Sequence, residues 1–444
     1  MSTDNRAFIK QLAHLECQIV REQLQGVYRI TDAEEAILRW ALSLARVSQV
    51  WDGGWVPIGT ATDLFRTRLY ETLIRGRQIG QIQSLLSAER ERLLLLYRGR
   101  MSETSLDAAV QTRPLGLALS GGGGTSYVFI GAFAALEEAG IRPDAIAGSS
   151  MGAILGLYRA FRRSFDLEEM KRMGSRLQWN RLISPTLEGS QFGFPATFRL
   201  NLDVLREPFR SPQEPRTLAL KELPIPLRVA VSGIADSQWR GLDVPWFNPE
   251  RALRNRKSSL VKALVQFAKR PLKAIYLGGD ELTAEFDVLD AVGFSAAVPG
   301  LFHYEVCPQD ASMLSLVREM MRQHGVSRLM DGGFSDNLPA AEARRSLVDP
   351  FVLSLDGFSP NWKRHWMFLP MMAIAAETSK EGYEASDCVI AYHRVLSPMK
   401  VVPSPQDLLR AIQHGRAETE PHIPFLKKML QPLKNPWKET GTGF

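Results

Sequence analysis

The sequence predicts an α/β protein in which a mostly parallel sheet, covered by helices, follows a helical N-terminal region. Residues 1–110 show helical apolar periodicity and almost no strand pattern. From Pro114 onward, short apolar runs alternate with helical stretches, as in parallel sheets that carry helices on their faces. A glycine run and a Gly-x-Ser-x-Gly pentapeptide each follow one of the predicted strands, and they indicate where the chemistry lies.

The composition is that of a folded globular chain. Of its residues, 45% are hydrophobic and 23% charged, which are ordinary values for globular proteins. The length of 444 residues predicts about two or three domains. The net charge of +6 favours anionic partners, either a phospholipid surface or a nucleic acid, without choosing between them. Cys17, Cys307 and Cys388 are far apart and form no zinc-binding pair or disulfide framework, which indicates a reducing compartment.

No targeting or membrane-spanning segment is expected. The first residues lack the basic and apolar regions of a secretory signal. The apolar run 366–376 is much shorter than the roughly 20 residues of a spanning helix, and Pro370 interrupts it. We therefore expect a cytoplasmic protein that is at most peripheral to a membrane.

The N-terminal region is predicted to form helices at 6–25, 32–47, 62–75 and 85–98. Thr31 and Glu34 fit a capping box at the start of the second helix. The apolar run 93–97 could contact a membrane or a partner, or simply pack against the next domain. Residues 101–113 lack helical periodicity and are expected to be a linker. The expected regions are a regulatory, partner-binding or packing region at 1–110, a catalytic domain at 114–430 and a tail at 431–444.

The pentapeptide is Gly148-Ser149-Ser150-Met151-Gly152, between a predicted strand at 145–147 and a predicted helix at 151–161. Such a turn exposes a serine in a strained conformation, and its glycines let neighbouring chain pack closely. Ser150 is therefore the candidate nucleophile. The other expected elements are strands at 115–119, 227–234, 327–330, 351–355 and 388–392 and helices at 128–138 and 288–297.

The glycine run, Gly121 to Gly124, follows the first strand of this domain and opens a helix. Its amides could cradle a phosphate or form an oxyanion hole for an acyl intermediate. Ser126 stands where a dinucleotide-binding motif needs its last glycine, and no P-loop lysine follows. The oxyanion hypothesis is the one that also accounts for Ser150.

A serine nucleophile needs a base within hydrogen-bond reach. Asp331, followed by Gly332 and Gly333, stands at the end of the predicted strand 327–330 and could supply a carboxylate. A triad would instead need a histidine downstream of Asp331. None of the four downstream histidines lies in a comparable strand-end motif, so a Ser150–Asp331 dyad fits better. The histidines in question are His365, His393, His414 and His422.

Several stretches together resemble the patatin-like phospholipases, over roughly residues 114–355. They are 117–124, 130–131, 136–141, 148–152, 291–302, 331–333 and 337–339.

The resemblance implies a three-layer α/β/α domain and a lipid acyl hydrolase that acts on phospholipid or other acyl lipids without metal or cofactor. In such an enzyme Ser150 would be the nucleophile, Asp331 the base, and the amides of Gly121, Gly122, Gly123 and Gly124 the oxyanion donors. Gly148 and Gly152 would form the nucleophile elbow, and Gly332 and Gly333 the turn after the base.

One departure from the family pattern concerns Thr125 and Ser126, which stand where the family usually has Arg or Lys and then Gly. The missing cation could alter loop order or recognition of an anionic substrate. An inactive lipid- or partner-binding scaffold and a histidine-dependent soluble esterase or thioesterase therefore remain alternatives.

Two further segments could contact lipid. The basic segment 251–273 contains an amphipathic pattern that fits either a helix at an anionic membrane surface or a packed helix with a solvated basic face. Because aromatic residues are sparse there, no nucleic-acid partner is expected. The apolar stretch 362–374 could line an acyl pocket, act as a lid, or belong to the core.

Overall fold

The computed structural model describes residues 3–186, 190–194, 196–211, 216–239, 272–358, 369–393 and 396–437. The chain divides into two compact units. One contains Met1–Leu115, Leu347–Phe351 and His422–Phe444, and the other contains Gly116–Ser346 and Val352–Pro421. No helix within these described ranges is both long enough and apolar enough to cross a membrane.

Helices and strands are numbered in chain order. Those of the N-terminal part are α1 (Thr3–Leu24), α2 (Asp32–Arg46), β1 (Gln49–Trp51), β2 (Trp55–Pro57), α3 (Asp63–Ile74), α4 (Ile79–Leu96) and α5 (Glu103–Gln111). Those of the middle part are β3 (Leu115–Leu119), α6 (Val128–Glu138), β4 (Ala145–Ser149), α7 (Met151–Ala160), α8 (Leu167–Arg176), α9 (Trp179–Leu182), β5 (Ile183–Pro185), β6 (Ala196–Leu200), β7 (Leu227–Ile234) and α10 (Asp236–Trp239). The remaining ones are β8 (Lys273–Leu277), α11 (Val288–Ser295), β9 (Gly300–His303), α12 (Ala311–His324), β10 (Arg328–Asp331), α13 (Ala340–Arg345), β11 (Phe351–Asp356), α14 (Leu369–Thr378), α15 (Lys380–Ala385), β12 (Cys388–Ala391), α16 (Pro405–Thr419) and α17 (Ile423–Leu430).

The unit that contains the N-terminal helices has its own apolar core, with α2 at its centre. The predicted capping box of α2 is present, because Thr31 accepts from Glu34 N and Glu34 Oε2 accepts from Thr31 N. The sequence-based boundaries placed a tail after residue 430, whereas this unit already includes the chain from His422. The described part of the tail, up to Trp437, packs there, because Trp437 lies edge to face on Trp40 with 5.4 Å between ring centroids.

Two features of this unit, a hairpin and a helix, differ from what the sequence predicted. The region was expected to be almost free of strands, yet β1 and β2 form an antiparallel hairpin; three residues per strand are too few to show an alternating pattern. The expected linker 101–113 contains the helix α5, which Ser102 caps by accepting a hydrogen bond from Ser105 N. Its buried face consists of Leu106, Asp107 and Val110, so too few apolar residues recur at helical spacing for the sequence to reveal the helix.

The second unit contains the central sheet, with strand order β10-β7-β4-β3-β11-β12 and β8 paired to β7. The pairs β3–β4, β4–β7 and β11–β12 are parallel, whereas β8 and β10 run antiparallel to β7. The predicted α/β fold class, with a mostly parallel sheet flanked by helices, is therefore confirmed. A smaller sheet, β5-β6-β9, was not predicted.

The candidate site is positioned by the pairing of β7 with three other strands, β4, β8 and β10. Residues Val229–Gly233 pair with β8 on one edge, so β4 and β10 must share the other edge. Ser149, the last residue of β4, pairs with Ala230, and Asp331, the last residue of β10, pairs with the next residue, Val231. Two strands that are distant in sequence therefore meet end to end along this edge of β7.

Two of the sequence predictions fall largely outside the described residues. Of the basic segment 251–273, the structure describes residue 272 and Lys273, which begins β8. Of the apolar stretch 362–374, residues 362–368 lie outside the described ranges, and the rest belongs to α14.

Candidate active site

Ser150 lies between the end of β4 and the start of α7, as the pentapeptide predicts. Its backbone has φ 53° and ψ −126°, a region that residues other than glycine rarely occupy. A Cβ atom at Gly152 would lie 2.4 Å from Ser120 O, and one at Gly148 would lie 2.8 Å from Ala153 N. Both neighbouring positions therefore require glycine, because the chain packs directly against them.

The side chains of Ser150 and Asp331 meet where β4 and β10 end. Ser150 Oγ donates a hydrogen bond to Asp331 Oδ2 at 2.5 Å. The other carboxylate oxygen, Oδ1, accepts from Gly333 N at 2.8 Å. A Cβ atom at Gly332 would lie 2.2 Å from Ala230 O, so this turn also depends on glycine. The structure brings together the two residues that the dyad hypothesis pairs.

Asp331 is 4% exposed. Burial raises the pKa of its carboxyl group from the usual 3.8 to about 7, although hydrogen bonds from Ser150 and Gly333 act in the opposite direction. A carboxylate with a pKa near neutrality is suited to accept and return a proton at physiological pH.

Three of the four histidines of the alternative triad are described, and they lie elsewhere. His393, His414 and His422 are not among the residues that line the cavity around Ser150. His414 Nε2 contacts His393 O and lies 3.3 Å from Glu418. His365 lies outside the described residues.

The glycine run, residues 121–124, forms a loop that we call the glycine loop. It offers fewer free backbone N–H groups than the sequence suggested. Gly121 N donates to Asn337 O at 3.1 Å and Gly124 N donates to Pro398 O at 2.9 Å, so the prediction of four oxyanion donors is too broad. Within the described part of the chain, Gly122 and Gly123 have no acceptor for their N–H groups, and both residues line the cavity beside Ser150.

Thr125 holds this loop. Its hydroxyl donates to Gly122 O at 2.8 Å, and a Cβ atom at Gly122 would lie 2.3 Å from the same hydroxyl. Ser126 Oγ is fully buried and has no hydrogen-bond partner among the described residues. The threonine thus connects the loop internally at a position where the family usually has a cation.

Ser295 is a positioning residue that the sequence analysis missed. Its hydroxyl accepts from Ser150 N at 2.8 Å and donates to Ala230 O at 2.6 Å. Two residues further on, Ala297 O accepts from Asp331 N at 2.8 Å. The segment 295–297 therefore holds the backbones of both Ser150 and Asp331. The segment 291–302 was noticed as a resemblance, but nothing in its pattern revealed this contact.

A largely apolar cavity opens at Ser150. Side chains from α6, α7, α8 and β9 contribute to it, among them Ile130, Ile154, Met170 and Phe302, and Ile374 of α14 also lines it. Asp331 is the one charged side chain among the described lining residues. An alkyl chain fits this lining, whereas a charged substrate group would lose its hydration without gaining a partner.

A family model of the patatin-like phospholipases matches residues 117–344, just over half of the chain. The chain belongs to the patatin-like phospholipase family. The match spans the glycine loop, Ser150 and Asp331 of this patatin-like domain, and the family's lipid acyl hydrolase chemistry agrees with the apolar cavity. A search of curated proteins found no match to the chain.

Proposed function

We propose that this patatin-like protein is a serine hydrolase of the phospholipase A type, which cleaves carboxylic ester bonds of membrane lipids. The observation that carries the proposal is the 2.5 Å hydrogen bond from Ser150 Oγ to the buried carboxylate of Asp331, at the opening of an apolar cavity. This arrangement supplies a nucleophile, a base and a binding site for the acyl chain.

In the acylation step, Ser150 Oγ attacks the ester carbonyl carbon while Asp331 accepts the hydroxyl proton. The carbonyl oxygen becomes negatively charged and is stabilised by the N–H groups of Gly122 and Gly123, together with the N-terminal end of α7. Collapse of this intermediate expels the lysolipid alcohol, which takes the proton from Asp331. Each oxyanion donor is typically worth about 2.7 to 4 kcal/mol of the activation barrier.

In the deacylation step, a water molecule attacks the acyl-enzyme ester and Asp331 accepts one of its protons. The intermediate collapses, Ser150 Oγ leaves and recovers that proton, and the fatty acid is released. The apolar lining holds the acyl chain in place through both steps.

The inactive-scaffold alternative rested on Thr125 and Ser126. The Thr125 hydroxyl holds the loop by its bond to Gly122 O, and the amides of Gly122 and Gly123 remain free of acceptors among the described residues. This geometry supports an active loop without the family's usual cation.

The proposal is tested by fatty-acid release from phospholipid vesicles, with products identified by mass spectrometry. Ser150→Ala and Asp331→Asn are both expected to abolish release, because one removes the nucleophile and the other the proton acceptor. Ser149→Ala is the matched control, since this neighbouring buried hydroxyl has no hydrogen-bond partner among the described residues. Undiminished release by both dyad variants would overturn the proposal.

Such a substrate implies contact with a lipid surface. The basic segment 251–273 remains our predicted site for that contact. Vesicle flotation tests it: replacing its lysines and arginines by glutamine should weaken binding to anionic but not to neutral vesicles.

A further inference from the structure

The cavity contains a hydroxyl group that the proposed mechanism does not use, on Tyr158. Five of the described lining residues carry polar side chains, and four of these make hydrogen bonds: Tyr127, Ser150, Asp331 and Asn337. For the fifth, Tyr158, no hydrogen bond is present in the described part of the chain, although the residue is 8% exposed. The residue lines the cavity, so its side chain borders that open space.

Buried tyrosine hydroxyls normally find a partner, and Tyr158 differs in this from the other buried tyrosines that the structure describes. Tyr127 lines the same cavity but donates to Val401 O at 2.6 Å. The other two buried tyrosines also have partners: Tyr304 donates to Asp290, and the hydroxyls of Tyr392 and Thr419 are hydrogen-bonded to each other.

The ring of Tyr158 is held in position by two aromatic neighbours. Its centroid lies 5.0 Å from that of Phe209 and 6.3 Å from that of Phe161. Burial raises the pKa of the Tyr158 phenol, so the hydroxyl stays protonated and can both donate and accept.

The position of Tyr158 along α7 relates it to the reacting ester. Met151, Ile154, Leu155 and Tyr158 all line the cavity, and their spacing puts them on one face of the helix. Tyr158 is eight residues beyond Ser150, so its backbone lies about 12 Å further along the helix axis than the backbone of Ser150. An extended hydrocarbon chain, with bonds of about 1.5 Å set at angles, needs roughly ten bonds to advance that far.

We propose that the Tyr158 hydroxyl binds an oxygen substituent near the middle of the acyl chain, so that the preferred substrates are lipids with a hydroxylated or otherwise oxygenated acyl chain. This inference rests on the proposed acyl hydrolase function and adds a substrate class to it. A plain alkyl chain that fills the cavity would displace water from the hydroxyl and leave it without a partner. A chain with a hydroxyl at that depth would satisfy it.

The test compares hydrolysis of three phosphatidylcholines in mixed detergent micelles: one with a stearoyl chain, one with a hydroxyl near the middle of that chain, and one with a hydroxyl next to the ester carbonyl. We expect kcat/KM for the mid-chain hydroxyl to exceed that for plain stearoyl by about tenfold. The substrate hydroxylated next to the carbonyl should gain no such advantage.

Tyr158→Phe should bring the ratio of kcat/KM for the mid-chain hydroxy substrate to kcat/KM for plain stearoyl to about one. Tyr127→Phe is the matched control; it removes a hydroxyl from the same cavity that already has a partner, and should keep the ratio. Equal rates on both chains in the unaltered protein, or an unchanged ratio in Tyr158→Phe, would overturn the inference. If plain stearoyl is hydrolysed in those cases, the proposed function itself still stands.

Binding tests the inference without catalysis. In the Ser150→Ala protein, titration calorimetry with free stearic acid and with its mid-chain hydroxy derivative should show about tenfold tighter binding of the hydroxy acid. The additional change Tyr158→Phe should remove the difference. Equal affinities in the Ser150→Ala protein would refute the inference, whatever the hydrolysis assay shows.

Discussion

Replacing Asp331 by asparagine should stabilise the fold while it abolishes hydrolysis. The carboxyl group is buried, and its pKa in the folded protein is about 7 instead of 3.8. Between these values the folded protein holds a proton that the unfolded chain releases, so stability falls as pH rises from about 4 to about 7 and is level above that. An asparagine at this position does not titrate and should remove this dependence.

The size of the effect follows from the pKa difference. At about 1.4 kcal/mol per pKa unit, the penalty on the charged form above pH 7 is on the order of 4 kcal/mol. At about pH 5 most of the folded molecules keep the proton, and the penalty falls to on the order of 1.5 kcal/mol. Asparagine keeps the shape of the side chain but makes weaker, uncharged hydrogen bonds to Ser150 and Gly333, so we expect a net gain of about 1 to 3 kcal/mol at about pH 8.

The assay is hydrogen exchange followed by mass spectrometry on peptides that cover β4 and β10, which reports the stability of the unit containing Asp331. Asp331→Asn should slow exchange relative to the unaltered protein, after correction for intrinsic rates, more at about pH 8 than at about pH 5. Ser150→Ala is the control, because it keeps the carboxyl group. Equal or faster exchange in Asp331→Asn at about pH 8, or a gain that does not depend on pH, would contradict the raised pKa of the Asp331 carboxyl group.

Three further predictions concern catalysis. First, because Asp331 must be deprotonated to accept the proton, kcat/KM should rise with pH through about 7 and then level off; a profile that falls across this range would contradict the assigned base. Second, Ser295→Ala should lower kcat by about tenfold to a hundredfold with little change in KM, since Ser150 N loses its acceptor, and Ser295→Thr should recover part of it; the absence of any effect on kcat would contradict the positioning role. Third, Thr125→Val should lower kcat by about tenfold while Thr125→Ser keeps it, measured on the same lipid, because the hydroxyl holds Gly122; equal rates in both variants would contradict that role.

The parts of the site that sequence could predict are local. The pentapeptide around Ser150 lies between a strand and a helix, and both the strained serine and the need for glycine follow from that context. Asp331 was recognisable as a carboxylate at a strand end. Its pairing with Ser150 was expected from the need for a base and from the family resemblance, but the geometry of the contact depends on β4 and β10 sharing one edge of β7, which no local pattern encodes.

The parts that sequence could not predict depend on contacts between distant segments. Gly121 and Gly124 were expected to be oxyanion donors, but the acceptors of their amides belong to Asn337 and Pro398, more than two hundred residues along the chain. The contact of Ser295 with Ser150 N likewise spans 145 residues. The helix α5 was missed for another reason, because its buried face is too short to show a clear period.

Covalent labelling of the intact protein with a fluorophosphonate, followed by peptide mapping, directly tests whether Ser150 is a nucleophile activated by Asp331. An activated serine forms a stable phosphonyl ester, and we expect a single modification, located on Ser150. The labelling rate should rise with pH through about 7 and should drop sharply in Asp331→Asn. Absence of label on Ser150, or undiminished labelling in Asp331→Asn, would contradict a Ser150–Asp331 dyad.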